Sequence, residues 1–202
     1  MSAAYTLYHA SASPFVRSAH VAALELGIDF ELKSVTTTPV ASDPVLLPAN
    51  PLGKIPALAR PDGPTLFDSR VICRYLDAQA GGRLYPAPGL WEVLTLEALA
   101  HGVMEAAVIS VYEVRLRPEA EQNAEWLAGQ WAKVTRALDV VEAQWMSHLS
   151  GPLTMAQIAL ACGLGYLDLR HPDKDWRPSR PGLAGWYEVF AARPAMIQTE
   201  PA

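Results

Sequence analysis

Segments with a strand-like rhythm are confined to residues 5–67, and beyond residue 90 the apolar positions recur only with a helical period. This asymmetry limits the fold more than any other feature, because a small sheet must be completed before the helical half begins. Tyr5 to His9 is short, aromatic and β-prone. Ser13-Pro14 then offers a helix cap followed by a proline suited to the first helical position. Val16, Ala19, Ala23 and Leu26 keep the helical spacing, and Gly27 supplies a stop. Phe30 to Val35 alternates as a second strand, which completes a βαβ unit.

A polar loop from Thr36 to Asn50 leads through a turn-rich stretch, Asn50 to Pro56, into a third strand at Ala57 to Arg60. Pro61-Asp62-Gly63-Pro64 marks a turn, and Thr65 to Phe67 returns as a fourth strand. Asp68-Ser69 opens a helix that runs to about Ala80 and stops at Gly81-Gly82. The order βαβ, ββα predicts an α/β domain over residues 1–81, and the two prolines in residues 82–89 mark a linker. Residues 90–202 read as all-helical: Trp91 to Leu116, a face through Leu127, Trp131, Val134, Leu138, Val141 and Trp145, then Thr154 to Leu169, and Leu183 to Ala192. Thr154 and Gln157 have the spacing of a capping box.

Half of the 202 residues are apolar and the formal net charge of −5 is interspersed, which argues against disorder and against a nucleic-acid partner. Met1 to Tyr8 lacks the basic start and apolar run of a signal peptide, and no apolar run near ~20 residues long suggests a membrane span. The expectation is a cytoplasmic protein without membrane contact. Cys73 and Cys162 form no CxxC pair, so neither a disulfide nor a zinc site is expected. Glu97, His101 and Glu105 follow one helix face at four-residue steps. No second cluster completes a metal site, so the stripe reads as solvated or as facing a second subunit, and no metal is expected.

Four stretches carry a resemblance: Ser-Ala-Ser-Pro-Phe-Val-Arg at 11–17, Asn-Pro-Leu-Gly-Lys-Ile-Pro-Ala-Leu at 50–58, Phe-Asp-Ser-Arg-Val-Ile-Cys-Arg-Tyr-Leu at 67–76, and Leu-Thr-Met-Ala-Gln-Ile-Ala-Leu-Ala at 153–161. In this order they resemble the glutathione transferase superfamily. With Glu-Ala-Leu-Ala-His-Gly at 97–102 they are most similar to serine-type bacterial members without an assigned substrate. The resemblance implies a thioredoxin-like first domain, glutathione as co-substrate, and a homodimer.

What it implies for single residues agrees with their chemistry. Ile55-Pro56 resembles a cis-proline turn whose backbone pairs with the cysteinyl unit of glutathione. Asp68 and Ser69 stand where the γ-glutamyl end is held, the carboxylate at a positive helix N-terminus and the ammonium by Asp68; the same pair also makes an ordinary cap. Lys54 either meets the glycyl carboxylate or stands solvated. Ser13 resembles the serine that donates a hydrogen bond to the glutathione sulfur, with Ser11 as the alternative; Tyr8 lies in a strand and reads as a sheet residue. A free thiol titrates near ~8.5, and a helix N-terminus lowers this. No cysteine lies at 11–13, so a mixed disulfide with glutathione is not expected there.

Phe15 is expected to touch glutathione beside Ser13, and the second-substrate site is expected between Phe15 and the long helix, lined by Met104, Val108, Ser110, Val111 and Tyr112. Arg115 and Arg117 are candidates for an acidic substrate or simply favourable charges at a helix C-terminus. Glu97 is a candidate to reach a neighbouring subunit's ligand amine. The activity so implied is a glutathione transferase that activates the thiol for attack on an electrophilic apolar small molecule. The alternatives are a non-catalytic glutathione-binding or protein-interaction member, or a glutathione-dependent isomerase or dehalogenase.

Overall fold

The computed structural model of the chain describes residues 5–201. Its sheet runs β2-β1-β3-β4, with β1 Thr6–His9, β2 Glu31–Ser34, β3 Ala57–Arg60 and β4 Gly63–Leu66. β1 is parallel to β2 and antiparallel to β3, and β3 is antiparallel to β4. A parallel neighbour demands a crossover, and helix α1, Pro14–Leu26, supplies it. Gly27 ends that helix in the left-handed region at φ 72°, which only glycine adopts freely.

Leu7 sits opposite Leu32 and Leu58, and Leu7 and Leu58 are fully buried beneath α1. β2 is an exposed edge carrying Glu31 and Lys33, charges that discourage pairing with another sheet edge. β4 begins two residues earlier than the sequence suggests, so the hairpin turn shrinks to Pro61-Asp62. Pro64 is tolerated because β4 is the other edge. On the opposite face the loop after β2 folds back, and Leu46, Ala49 and Val35 close a second small core over Ala57 and Tyr8.

Helix α2, Ser69–Gln79, is capped by Asp68. The segment expected as a linker is docked: the Asp77 carboxylate accepts the N–H groups of Leu84 and Tyr85 at 2.7 and 3.1 Å, and Leu84 is fully buried. The helical half contains α3 Leu90–Leu116, a 3-10 turn Glu119–Glu121, α4 Ala124–Gln144, α5 Met146–Leu149, α6 Met155–Arg170, α7 Pro181–Ala191 and α8 Pro194–Gln198. The 3-10 turn, α5 and α8 have too few residues to show a period. By length and composition alone α3 can cross a membrane, contrary to the sequence expectation; 56% of its most apolar window is buried against the protein, as in a core helix.

Helix α6 is the axle of the fold. All residues from Met155 to Leu167 are buried, because α3 packs on one side and α1 on another. At Gly165 a Cβ would lie 2.6 Å from Nη1 of Arg17 and 2.8 Å from the Tyr187 hydroxyl, so glycine lets α1 and α7 close on α6. Gln157 holds the start of α6: its Oε1 accepts the Thr154 N–H at 2.6 Å while its Nε2 donates to the carbonyls of Leu149 and Gly151. A carboxylate at that place has no hydrogen with which to make the last two bonds.

Candidate functional site

The turn between β1 and α1 places Ser13 at the N-terminus of a 13-residue helix. Its Oγ accepts the Val16 N–H at 3.3 Å, and its own proton is donated to no group among the described residues. The helix contributes partial positive charge at the same point. Ser11 lies two residues upstream, exposed and with no side-chain hydrogen bond among the described residues. Tyr8 is a sheet residue, as expected: it pairs with Lys33 and Ala57, and the Lys33 ammonium stands 5.2 Å above its ring.

Ile55-Pro56 is a cis bond, in agreement with the sequence reading, and a second cis bond joins Phe67 to Asp68. Pro56 is buried and the backbone N–H and C=O of Ile55 meet no partner among the described residues, leaving an open edge for an extended ligand. The turn before it is fixed by Asn50, which the sequence reading treated only as a turn residue. Asn50 is 2% exposed; its Nδ2 donates to the Lys54 carbonyl at 2.8 Å and its Oδ1 accepts the Leu52 N–H at 3.1 Å. The Lys54 side chain itself is exposed and makes no ion pair among the described residues.

Asp68 caps α2 by accepting the Arg70 N–H at 3.0 Å, and its other oxygen accepts from the Arg70 guanidinium at 2.9 Å. Partial burial pushes this carboxyl up, but the hydrogen bonds and charge of Arg70, with a further backbone bond from Val71, outweigh it and hold it below the usual range. It is therefore an anion at neutral pH. Ser69 is buried in the first turn of α2 beside it.

The expected lining of the second-substrate site divides. Phe15 is half-buried, its ring 5.6 Å from that of His101. Val108, Val111 and Tyr112 are also half-buried, and the Tyr112 hydroxyl bridges to the Thr37 carbonyl at 3.4 Å. Met104 is not a lining residue: it is fully buried, lodged against α6 at Gly163. Ser110 is buried and donates back to the Ala106 carbonyl at 2.7 Å. Arg117 is occupied by Glu113 at 2.9 Å, whereas Arg115 is exposed and has no ion pair among the described residues.

The stripe on α3 is corrected too. Only Glu105 is exposed; Glu97 and His101 are 1% and 4% exposed. Glu97 accepts the Tyr85 hydroxyl at 2.7 Å within its own chain. Burial raises the Glu97 carboxyl above its usual range. Burial, then the nearby Arg70, lowers His101 to about 4, so it is neutral at physiological pH. No group of three metal-ligating side chains occurs among the described residues.

A narrow crevice under Ser13 and Pro14 is walled by Arg17, Cys162, Tyr166 and Pro201. Arg17 is 8% exposed and reaches across to α8, donating to the Met196 carbonyl at 2.9 Å. Cys162 and Cys73 are both buried, and burial pushes both thiols up, Cys162 to about 11. Both are thus thiols rather than thiolates at neutral pH. A larger concavity of about 360 Å³ lies at the far end of α3. Glu113 and Arg117 line it and neutralise each other, and none of the expected ligand residues reaches it.

Residues 7–84 match the profile of the glutathione S-transferase N-terminal domain and residues 124–188 that of its C-terminal domain. A crystal structure of a glutathione transferase family member from Pseudomonas fluorescens Pf-5, with bound glutathione, is 45% identical and superposes with a TM-score of 0.95 over 98% of this chain and 99% of that one. The uncharacterized GST-like protein YibF of Escherichia coli K12 is 36% identical over 94% of this chain and 95% of its own length. Glutathione S-transferase 3 of Zea mays is 33% identical over 96% of this chain and 91% of its own.

Proposed function

The chain belongs to the glutathione S-transferase superfamily, and on that premise we propose that it is a serine-type transferase. Glutathione lies along the Ile55-Pro56 edge, with its γ-glutamyl end at Asp68 and Ser69 and its thiol at Ser13. The thiol is ionised there and attacks an electrophilic, largely apolar small molecule between Phe15 and the Val108–Tyr112 stretch of α3. One observation carries this reading: the Ser13 oxygen is engaged by Val16 while its proton is free. Capping and thiolate donation are thus compatible in one hydroxyl. A charged hydrogen bond of this kind contributes about 1.5–3 kcal/mol, against ~1.4 kcal/mol per pKa unit. Glutathione bound in the Pseudomonas relative and the name of the maize relative support the ligand and the reaction class.

The test is glutathione titration followed by a panel of halonitroaromatic, enone and epoxide electrophiles. Saturable binding with a thiolate absorbance and glutathione-dependent turnover above the solution rate is the expected result. Tight binding with no turnover assigns the chain to the non-catalytic binding members instead, and product analysis separates conjugation from isomerisation or dehalogenation. We extend the proposal to a cytoplasmic homodimer, supported by apolar side chains left exposed on α2 and α3, Val71 and Trp91. A single monomeric species in light scattering would remove the dimer.

A further inference from the structure

Thr37 is bonded in two directions. Its carbonyl accepts the Tyr112 hydroxyl from α3 at 3.4 Å, and its own hydroxyl donates to the Gly53 carbonyl at 2.5 Å. Gly53 is buried at φ 63°, and a Cβ there would fall on the Ser42 side chain, so the backbone at this point has one residue type open to it. The chain then enters Lys54-Ile55-Pro56, the cis turn with the uncommitted Ile55 edge. Two hydrogen bonds thus run from the α3 side of the cleft to the edge on its sheet side.

This connection stands alone. Among the described residues no other hydrogen bond joins residues 35–56 to the helical half. The apolar side chains of the loop turn the other way: Val35, Leu46 and Ala49 pack with Ala57 and Tyr8 in the small second core. The Tyr112 proton is given to the loop, so this side chain acts on the cleft through Thr37.

We propose that Tyr112 is a positioning residue: it holds Thr37, Thr37 holds Gly53, and the relay fixes the Ile55 edge in the place that glutathione requires. This rests on the placement of glutathione given above, and adds a residue that touches neither its peptide backbone nor its sulfur. The two bonds act in series. Breaking either one releases the turn, and breaking the other as well costs little more.

The test is a double-substitution cycle read by titration calorimetry with S-methylglutathione. Tyr112→Phe removes the first hydroxyl and Thr37→Val the second, each with the side-chain outline kept. Each is expected to weaken binding about threefold, and the two together about threefold rather than about ninefold. The pKa of bound glutathione, read by thiolate absorbance, is expected to be the same in Tyr112→Phe as in the wild type, because Ser13 is untouched. No loss in one or both single variants, or losses that multiply in the pair, overturns the inference. So does a raised thiol pKa in Tyr112→Phe, which would set the phenol on the sulfur. Each of these results leaves the transferase reading intact, whereas failure of the wild type to bind S-methylglutathione overturns both.

Discussion

Ser13 accepts the Val16 N–H at 3.3 Å and donates to nothing among the described residues. Holding the helix and, on the proposed reading, holding a ligand sulfur therefore fall on different atoms of one hydroxyl, and substitution can separate them.

Asparagine caps a helix about as well as serine but offers no hydroxyl. Ser13→Asn is expected to leave the melting temperature nearly unchanged while raising the bound thiol's pKa by about one unit and lowering kcat/KM at neutral pH about 10-fold. Ser13→Ala is expected to show the same kinetic loss together with about 1 kcal/mol of destabilisation. Ultraviolet thiolate titration reads the first effect and denaturant unfolding the second. A thiol pKa unaltered in both variants would remove Ser13 from the mechanism.

Asp68 gives a pH signature. Its folded pKa is depressed, so its contribution is fully present above the unfolded value near ~3.9 and is lost as pH falls through the lower folded value. Glutathione affinity is accordingly expected to persist at pH 5 and to weaken only below ~4. Asp68→Asn keeps the cap but loses the charge, and is expected to raise the KM for glutathione several-fold with little change in melting temperature.

Glu97 has the opposite sign. Its folded pKa is raised by burial, so whatever stability it lends is present below the unfolded value near ~4.3 and declines as pH rises through the folded one. Glu97→Gln retains an acceptor for the Tyr85 hydroxyl and removes the buried charge. It is expected to raise the melting temperature at pH 8, with the gain vanishing below ~4.3, where the wild-type carboxyl is protonated. Tyr85→Phe is expected to cost about 1–3 kcal/mol, because it strips a buried acceptor of its donor.

Gly165→Ala is expected to destabilise by about 1–3 kcal/mol. The added methyl would fall on Arg17 and Tyr187, and Arg17 has little freedom to yield, being bonded to Met196. Chemical denaturation measures the loss.

The parts legible in the sequence were those fixed by short-range chemistry. The caps at Ser13 and Asp68, the stop at Gly27, the turn at Ile55-Pro56 and the bounds of β3 all follow from residues a few positions apart. The misread parts depend on contacts far along the chain. Met104 and Val108 are one turn apart and equally apolar, and only the approach of α6 at Gly163 makes one core and leaves the other at the cleft. Glu97 looked solvated because a carboxylate on a helix usually is; its partner Tyr85 lies in the preceding connection and has no motif.

Helix α6 touches the sheet-bearing half through α1 and the helical half through α3, and it is buried along its length from Met155 to Leu167. A change of side chain there is transmitted to both halves at once. On the proposed transferase reading, substitutions on the Val108–Arg115 face of α3 would alter the second-substrate side while α6 keeps both halves joined.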